Sequence, residues 1–451
     1  MALLGKTKMD DQYAGPKPSG RLEPLDITFE NKGDRLIGLG AINGILKILT
    51  LGLYTFWGKT EVRRRIWSFT RINGEPLSYS GTGRELFLGF VIVFFVFILP
   101  SLLGAIGVSM MFAGSKSAIA IYQGVFYFVV FLILGNAMYR AQRYRLSRTA
   151  WRGIHGALVG SPQRYGWTYF WTLAAPIAVI GLIAGLVAWQ ASVQSGVVLA
   201  SLGSIAALWI FPWRANKLQK MLTNDTRFGD RPLNYDGTSG PLYKRYFFAW
   251  AGTALLGFGA MVASSAYALN NGIVEKIRGK IPLDGQEILT FVAIAALTLL
   301  AVAMVTAWYR ASQMNHFARH THFEGATFRL DAKGSSLMWL VLSNWLITSL
   351  GFLAGVLMGL VVARLAGPFA AASSSPAEAA VLGMRYLLPM ALPVIIWTTV
   401  AQTFAQFRSV RYFMSRLKLN GAVDLGAIMQ SQYQRPKRGE GLAQVFDFDA
   451  F

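Results

Sequence analysis

The sequence predicts an all-α polytopic membrane protein whose helical hairpins form parallel repeats, joined by short cytoplasmic basic helices and small β-strand segments. Three observations predict this class. Of the 451 residues, 54% are apolar and only 14% are charged, whereas soluble domains average about 25% charged residues. Long runs of the chain carry no charge, and one short polar segment recurs along it.

The uncharged runs are long enough to span a bilayer, since a crossing helix needs about 20 apolar residues. The run at 165–213 is long enough for two crossings, with a break near "QASVQSG". We therefore expect eight full spans. The runs without Asp, Glu, Lys or Arg are Leu86–Ser115, Ser117–Tyr139, Tyr165–Trp213, Tyr246–Val274, Ile288–Tyr309, Gly334–Ala363 and Tyr386–Phe407.

The net charge of +21 raises the question of nucleic acid, but its placement indicates membrane topology. Most of the Lys and Arg lie at 58–84, 140–164, 214–245, 310–333 and 408–438, whereas the loops between them hold few. Short loops rich in Lys and Arg stay in the cytoplasm. We expect an inner-membrane protein with both termini cytoplasmic and no nucleic-acid partner.

The recurring polar segment, called the cassette below, begins at Thr70, Thr149, Thr226, Thr321 and Leu417. A basic aromatic helix precedes each copy and ends at a Gly or Asn-Gly turn, and a short strand such as "PLSYSG" or "PLNYDG" follows. Three or more strands are needed for a stable sheet, so the cassettes together predict a small cytoplasmic β-element that joins the helical hairpins.

The chain divides at these cassettes. We expect residues 1–24 to form a flexible tail without a signal peptide, and 25–84 to hold a strand at Ile27–Phe29, a hairpin at Leu36–Trp57 and the first cassette. We expect this hairpin to re-enter the membrane or lie at its interface; the alternative is a ninth span, with residues 1–35 outside. Residues 85–432 form four helical hairpins with cassettes at about 140–165, 214–245, 310–336 and 404–432, and 433–451 form an acidic, aromatic tail.

The stretch "LTLGLYTFWGKTEVRRRIWSFTRINGEPLSYSGTGRELFLGF" resembles the signature of the YjgN-like family of bacterial inner-membrane proteins, a family of unknown function. The resemblance covers most of the chain and includes the closing "GEGLAQVFDFDAF". It implies a bacterial cytoplasmic membrane. It implies no reaction, substrate, cofactor or catalytic residue.

Cations near the membrane are candidates for binding anionic lipid or another anion, because attraction to an anionic surface is about 1 kcal/mol per Lys or Arg. Snorkelling of these side chains to the headgroups is the alternative. The candidates are Lys47, Arg63, Arg64, Arg65, Arg143, Arg145, Arg148 and Arg385.

Catalytic motifs are absent from the sequence: it has no phosphate-binding loop, zinc-protease motif or dinucleotide fingerprint, and no cysteine. His316, His320 and His322, with Glu324, are metal candidates, but zinc needs three protein ligands in suitable geometry, and histidine also suits helix ends. We predict no enzyme activity and no cofactor.

The tail alternates acidic and aromatic residues, which suits an added strand. We expect Phe446, Phe448 and Phe451 to dock on the cytoplasmic β-element or on a partner protein, rather than to remain disordered. Gly-rich spans also suit a homo-oligomer.

The predicted function is a non-enzymatic scaffold or accessory subunit that binds anionic lipid. The alternative is a channel or facilitator for an anionic solute or lipid.

Overall fold

A computed structural model describes residues 22–30, 33–112, 115–366 and 376–430. The fold is mostly helical. A short hairpin of α1 (Asp34–Leu49) and α2 (Thr55–Phe69) precedes the long helices. The long helices are α3 (Gly83–Met111), α4 (Lys116–Arg148), α5 (Pro162–Gln190), α6 (Val193–Asp225), α7 (Gly240–Asn270), α9 (Gly285–Arg319), α10 (Gly334–Leu365) and α11 (Pro389–Met414), with the short α8 (Ile273–Arg278) between α7 and α9.

The eight long helices are each 26 to 35 residues long and apolar enough to cross a membrane, which confirms the predicted number of spans over the described residues. Two of them contain a π-helical turn, at Phe94–Ile98 in α3 and at Ala401–Ala405 in α11. The helix that contains α11 begins at Pro376.

The long helices are arranged in a series that closes on itself. Each packs against its neighbours in sequence, and α1 packs against α11 at the end of the series. Between α6 and α7 the contact includes hydrogen bonds from Tyr246 and Trp250 to backbone carbonyls of α6. Only 0% to 33% of the apolar stretch of each span is buried within the protein, so a single layer of helices leaves most apolar side chains to the bilayer.

In the described part of the chain, thirteen short strands lie together at one end of the helices. Their bounds are β1 (Glu23–Pro24), β2 (Ile27–Phe29), β3 (Thr70–Ile72), β4 (Glu75–Pro76), β5 (Ser78–Tyr79), β6 (Thr149–Trp151), β7 (Ile154–Leu158), β8 (Thr226–Phe228), β9 (Arg231–Tyr235), β10 (Thr321–Phe323), β11 (Ala326–Leu330), β12 (Leu417–Asn420) and β13 (Ala422–Val423). The predicted strand at 27–29 is confirmed.

Eleven of these strands form what we call the strand ring, and the other two, β1 and β13, pair with each other. The strands β5 to β12 pair in order as an antiparallel sheet, and β2, β3 and β4 form a second one. One residue separates β4 from β5, and β12 lies beside β2, so the two sheets surround a common interior. Phe323, Ala326, Leu419 and Val423 are buried there. The ring is larger than the small β-element expected, because both sides of each cassette turn form strands.

The first cassette corrects one predicted boundary. The basic helix was expected to end at Asn73–Gly74, but α2 ends at Phe69 and Thr70–Ile72 form a strand. Asn73 and Gly74 have φ angles of 48° and 81°, and two successive residues with positive φ are typical of a two-residue hairpin turn. The Asn-Gly pair therefore turns a β-hairpin.

The hairpin of α1 and α2 begins and ends at the strand ring. The strand before α1 pairs with the strand after α2, Ile27 opposite Ile72 and Phe29 opposite Thr70. With 16 residues, α1 is also shorter than the roughly 20 that a crossing requires. The re-entrant interpretation stays a prediction, which this geometry supports.

Candidate functional site

The predicted lipid-binding arginines of α2 differ in exposure. Arg63 is only 2% exposed and donates to the Tyr79 hydroxyl over 3.2 Å, with its guanidinium against the same ring. Arg64 is exposed, pairs with Glu61 at 3.2 Å and also donates to the Gly81 carbonyl. Arg65 is half-buried. Of these three residues, Arg64 is therefore the most accessible to a headgroup.

The predicted arginines of α4 also make contacts inside the protein. Arg143 donates to the carbonyls of Leu158 and Gly160. Arg148 pairs with Glu85 over 2.8 Å, and this joins the end of α4 to the start of α3. Arg145 donates to Gln142. All three arginines are half-buried, and lipid binding by them stays a prediction.

Four cassettes share a hydrogen bond that the sequence analysis missed. A side chain on the helix that leads into the cassette donates to the carbonyl eleven residues after the cassette begins, just before the next helix starts. The donor lies six positions before the cassette in three copies and ten positions before it at Asn216, so a polar residue at a fixed spacing was an available signal in three copies. The pairs are Arg64 with Gly81, Arg143 with Gly160, Asn216 with Gly237 and Asn315 with Ala332.

Exposed cations lie where the long helices meet the strand ring, on both the helices that reach it and the helices that leave it. Lys217 places its ammonium 4.8 Å from the centre of the Trp213 ring, a pairing suited to a membrane surface where aromatic rings sit at headgroup depth. The exposed cations are Arg84, Arg140, Arg164, Lys217, Lys220, Lys244, Arg245, Arg310, Arg319, Lys333 and Arg411. Of the predicted lipid-binding residues whose side chains the structure describes, only Arg64 is exposed.

A buried polar cluster joins α1 to α11. Lys47, 2% exposed, donates to the Gln402 side chain over 2.8 Å. Asn43 and Thr403 are also buried, and one side-chain oxygen of each has no hydrogen-bond partner in the described part of the chain. Gln402 and Thr403 belong to the π-helical turn of α11, and such turns are frequent at functional sites. The cluster therefore places a cation beside the last span.

Two of the three candidate histidines share one carboxylate: His320 and His322 contact Asp236 at 2.9 Å and 3.4 Å. His322 also bonds Thr327, and His316 bonds the Thr238 carbonyl. The hydrogen bond from His320 holds the pKa of the Asp236 carboxyl below its usual range. Over the described residues, no group of three or more His, Asp or Glu side chains is placed to hold a metal ion.

The remaining predicted residues fall outside the described part of the structure. Phe446, Phe448 and Phe451 follow Gln430, the last described residue, and most of the 1–24 segment also lies outside. The side chain of Arg385 is likewise not described, although its backbone belongs to the helix that begins at Pro376.

The interior of the strand ring contains an apolar cavity of about 240 Å³. Its walls come from strands of both sheets and include Ile27, Ile72, Leu77 and Trp151, while Arg227 is the charged residue in the lining. The sequence analysis did not predict this cavity, because its walls form only when distant cassettes pair.

Eight apolar helices, a single helical layer and a strand ring with exposed cations around it define a multi-pass membrane protein. The chain belongs to the family described as "Bacterial protein of unknown function (DUF898)", whose profile matches residues 24–445. This confirms the resemblance found in the sequence, because the relatives of the chain are YjgN proteins.

The relatives include the inner membrane protein YjgN of Salmonella typhimurium, 26% identical over 32% of this chain and 34% of the relative. YjgN of Escherichia coli K12 is 25% identical over 32% and 33%, and YjgN of E. coli O157:H7 is 24% identical over 45% and 50%. The chain thus spans a third to a half of the length of these relatives. No solved structure matches it. The protein is a multi-pass protein of the inner membrane.

Proposed function

We propose that the protein is a non-enzymatic scaffold or accessory subunit whose strand ring lies in the cytoplasm, with a basic face that binds anionic lipid headgroups. The exposed cations at the junction of helices and ring carry this proposal. They surround the level at which phosphate groups would lie if the apolar helices span the bilayer. Each contributes about 1 kcal/mol of attraction near an anionic surface.

We therefore assign lipid binding to exposed cations rather than to most of the arginines predicted from the sequence. Arg63, Arg143 and Arg148 stabilise the ring through contacts with Tyr79, Gly160 and Glu85. Lys217 and Lys220 instead lie exposed on α6, with Lys217 against Trp213. Because both residues are exposed, Lys217 and Lys220 can exchange their water shell for lipid phosphates.

The lipid test compares two pairs of exposed cations at opposite ends of the helices. Lys217→Gln with Lys220→Gln removes a pair at the strand ring, and Arg278→Gln with Lys280→Gln removes a pair at the far end of α7 and α9. Native mass spectrometry should show phosphatidylglycerol or cardiolipin retention lowered severalfold by the first pair and little by the second. Equal retention in both variants would refute the proposal.

We also propose that the chain consists of parallel repeats. The shared hydrogen bond supports this, because its carbonyl lies eleven positions after the start of all four cassettes and its donor lies six positions before the start of three of them. A second support is the threonine at the start of three cassettes, Thr149, Thr226 and Thr321, whose hydroxyl donates to the carbonyl four residues earlier.

A scaffold role further suits a partner protein bound through the tail, and a homo-oligomer through Gly-rich helix faces.

A second candidate function is a channel or facilitator for an anionic small solute or lipid. The cluster at Lys47 favours it, because Lys59 and Arg63 are also buried in the same hairpin and cations inside a membrane protein often mark a substrate path. Flux of a radiolabelled anion into liposomes tests it. Lys47→Met should abolish such flux, whereas Ile45→Ala on the exposed side of α1 should preserve it.

A further inference from the structure

Helices α3 and α4 enclose a groove near the end of their hairpin that lies farthest from the strand ring. Its volume is about 280 Å³, larger than an apolar cavity of about 150 Å³ that holds a benzene molecule in another protein. Leu102, Ala105 and Phe126 are among its lining residues. On the side toward the ring, Phe97 stacks on Phe126 with 5.7 Å between the ring centres. The groove therefore has room for a stretch of hydrocarbon chain.

The groove lies at the depth of the bilayer and its edges face outward. Its lining residues all belong to the uncharged runs of α3 and α4, at 98–109 and 119–127. Leu102 is 53% exposed and Tyr127 is 67% exposed, so the rest of the protein does not cover these edges. A lipid of the surrounding bilayer therefore has direct access to the groove.

Gln123 adds a polar group to this apolar groove. It lines the groove, is exposed, and has no hydrogen-bond partner among the described residues. An amide group in an apolar environment carries a free-energy cost unless it forms a hydrogen bond. The ester carbonyl oxygens of a phospholipid are acceptors that lie directly next to the acyl chains, so a phospholipid supplies the missing partner.

Lys116 adds a positive charge on the same face of α4. It is exposed at the first residue of the helix. Seven residues, close to two helical turns, separate it from Gln123, which is roughly 10 Å along the axis. Side chains on a helix lean toward its N-terminus, so the amide of Gln123 reaches back toward Lys116. A phosphate beside Lys116 thus leaves the ester carbonyls near Gln123 and an acyl chain at the groove.

We propose that the groove is a phospholipid-binding site in the leaflet farthest from the strand ring. The phosphate lies at Lys116, an ester carbonyl accepts a hydrogen bond from the Gln123 amide, and one acyl chain lies between α3 and α4. Charge, amide and apolar groove follow one another in the same order as phosphate, ester and acyl chain do in the lipid. The site differs from the cations around the ring because it holds the chain as well as the phosphate, and therefore does not require an anionic headgroup.

Lipid retention by two neighbouring variants tests this proposal. Ala105→Phe fills the groove, whereas Ile106→Phe places the same ring at the next residue, which is exposed and lies outside the lining. The full chain is extracted in mild detergent from liposomes of phosphatidylcholine alone, a lipid without net charge that the cations around the ring do not select. Native mass spectrometry should show a phosphatidylcholine molecule retained by the unmodified protein and by Ile106→Phe, and severalfold less by Ala105→Phe.

A second pair of variants tests the hydrogen bond and applies even if Ala105→Phe impairs folding. Gln123→Leu should lower retention severalfold, and Val125→Leu, at an exposed position outside the groove, should leave it unchanged. Equal retention within either pair would overturn the proposal.

A second copy of the chain is the rival occupant of the groove. Because the protein contains no cysteine, Gln123→Cys in liposomes under mild oxidation reports on this directly. The chains should remain monomeric, and rapid formation of disulfide-linked dimers would show that a second copy covers the groove and would overturn the proposal. None of these results bears on the binding of anionic lipid by the exposed cations at the ring.

Discussion

The Lys47 ammonium donates to the side-chain oxygen of Gln402 over 2.8 Å, although 355 positions separate the two residues. This bond joins the first helix of the chain to the last span and closes the series of helices. Glycines on α1 permit the approach, since a side chain at Gly40 would lie 3.1 Å from the methyl group of Thr403. The bond thus belongs to a close helix contact of the kind that small residues allow.

Loss of this bond should destabilise the protein. Lys47→Met leaves the buried Gln402 amide without its donor, and we expect about 1–3 kcal/mol lower unfolding free energy, measured by thermal denaturation in detergent. Ile45→Ala, at a side chain 59% exposed on the same helix, is the control and should change stability little. In the double variant with Gln402→Met the loss should be smaller than the sum of the single losses. Additive losses would show that the two side chains are not coupled.

The shared cassette bond should matter most at Asn315, whose side chain both donates to the Ala332 carbonyl at 2.8 Å and accepts from its N–H at 3.0 Å. Asn315→Ala removes both bonds beside the start of α10, and we expect a loss of about 1–3 kcal/mol. Hydrogen exchange at Ala332 should accelerate in parallel. Asn234→Ala, on an exposed position of β9, is the matched control. An unchanged exchange rate at Ala332 would contradict this role.

Close packing at the start of α3 gives a third prediction. A methyl group at Gly83 would lie 2.7 Å from the Cα of Trp57, whereas one at Gly240, at the start of α7, meets nothing within 4 Å. Gly83→Ala should therefore destabilise the protein by about 1–3 kcal/mol through overpacking, while Gly240→Ala should be neutral or slightly stabilising. Thermal denaturation of the two variants side by side decides this. Similar melting temperatures would rule out the tight contact.

The orientation in the membrane gives a fourth prediction. Lys418 on β12 and Ile281 near the far end of α9 are exposed at opposite ends of the helices. In intact cells, a membrane-impermeant maleimide should label Ile281→Cys and not Lys418→Cys, because the basic end stays in the cytoplasm. Labelling of both after permeabilisation is the control. The opposite pattern in intact cells would place the strand ring outside the cytoplasm.

The sequence alone determined the eight spans, the strand at Ile27–Phe29 and the position of the cassettes. Apolar runs and turn signals such as Asn73–Gly74 are local properties, which neighbouring residues decide. The sequence also showed where the cations lie along the chain, because each Lys and Arg can be read directly from it. The family resemblance rested on one continuous stretch around the first cassette.

Tertiary structure alone decided what those features do. Whether Arg148 faces a lipid or Glu85, and whether Lys47 snorkels or bonds Gln402, depends on partners 63 and 355 positions away. The strand ring and its cavity likewise require pairing among strands of different cassettes, and a strand of three to five residues does not specify its partner by its own pattern. Local sequence sets which element forms, whereas long-range packing sets which side chains remain free to act.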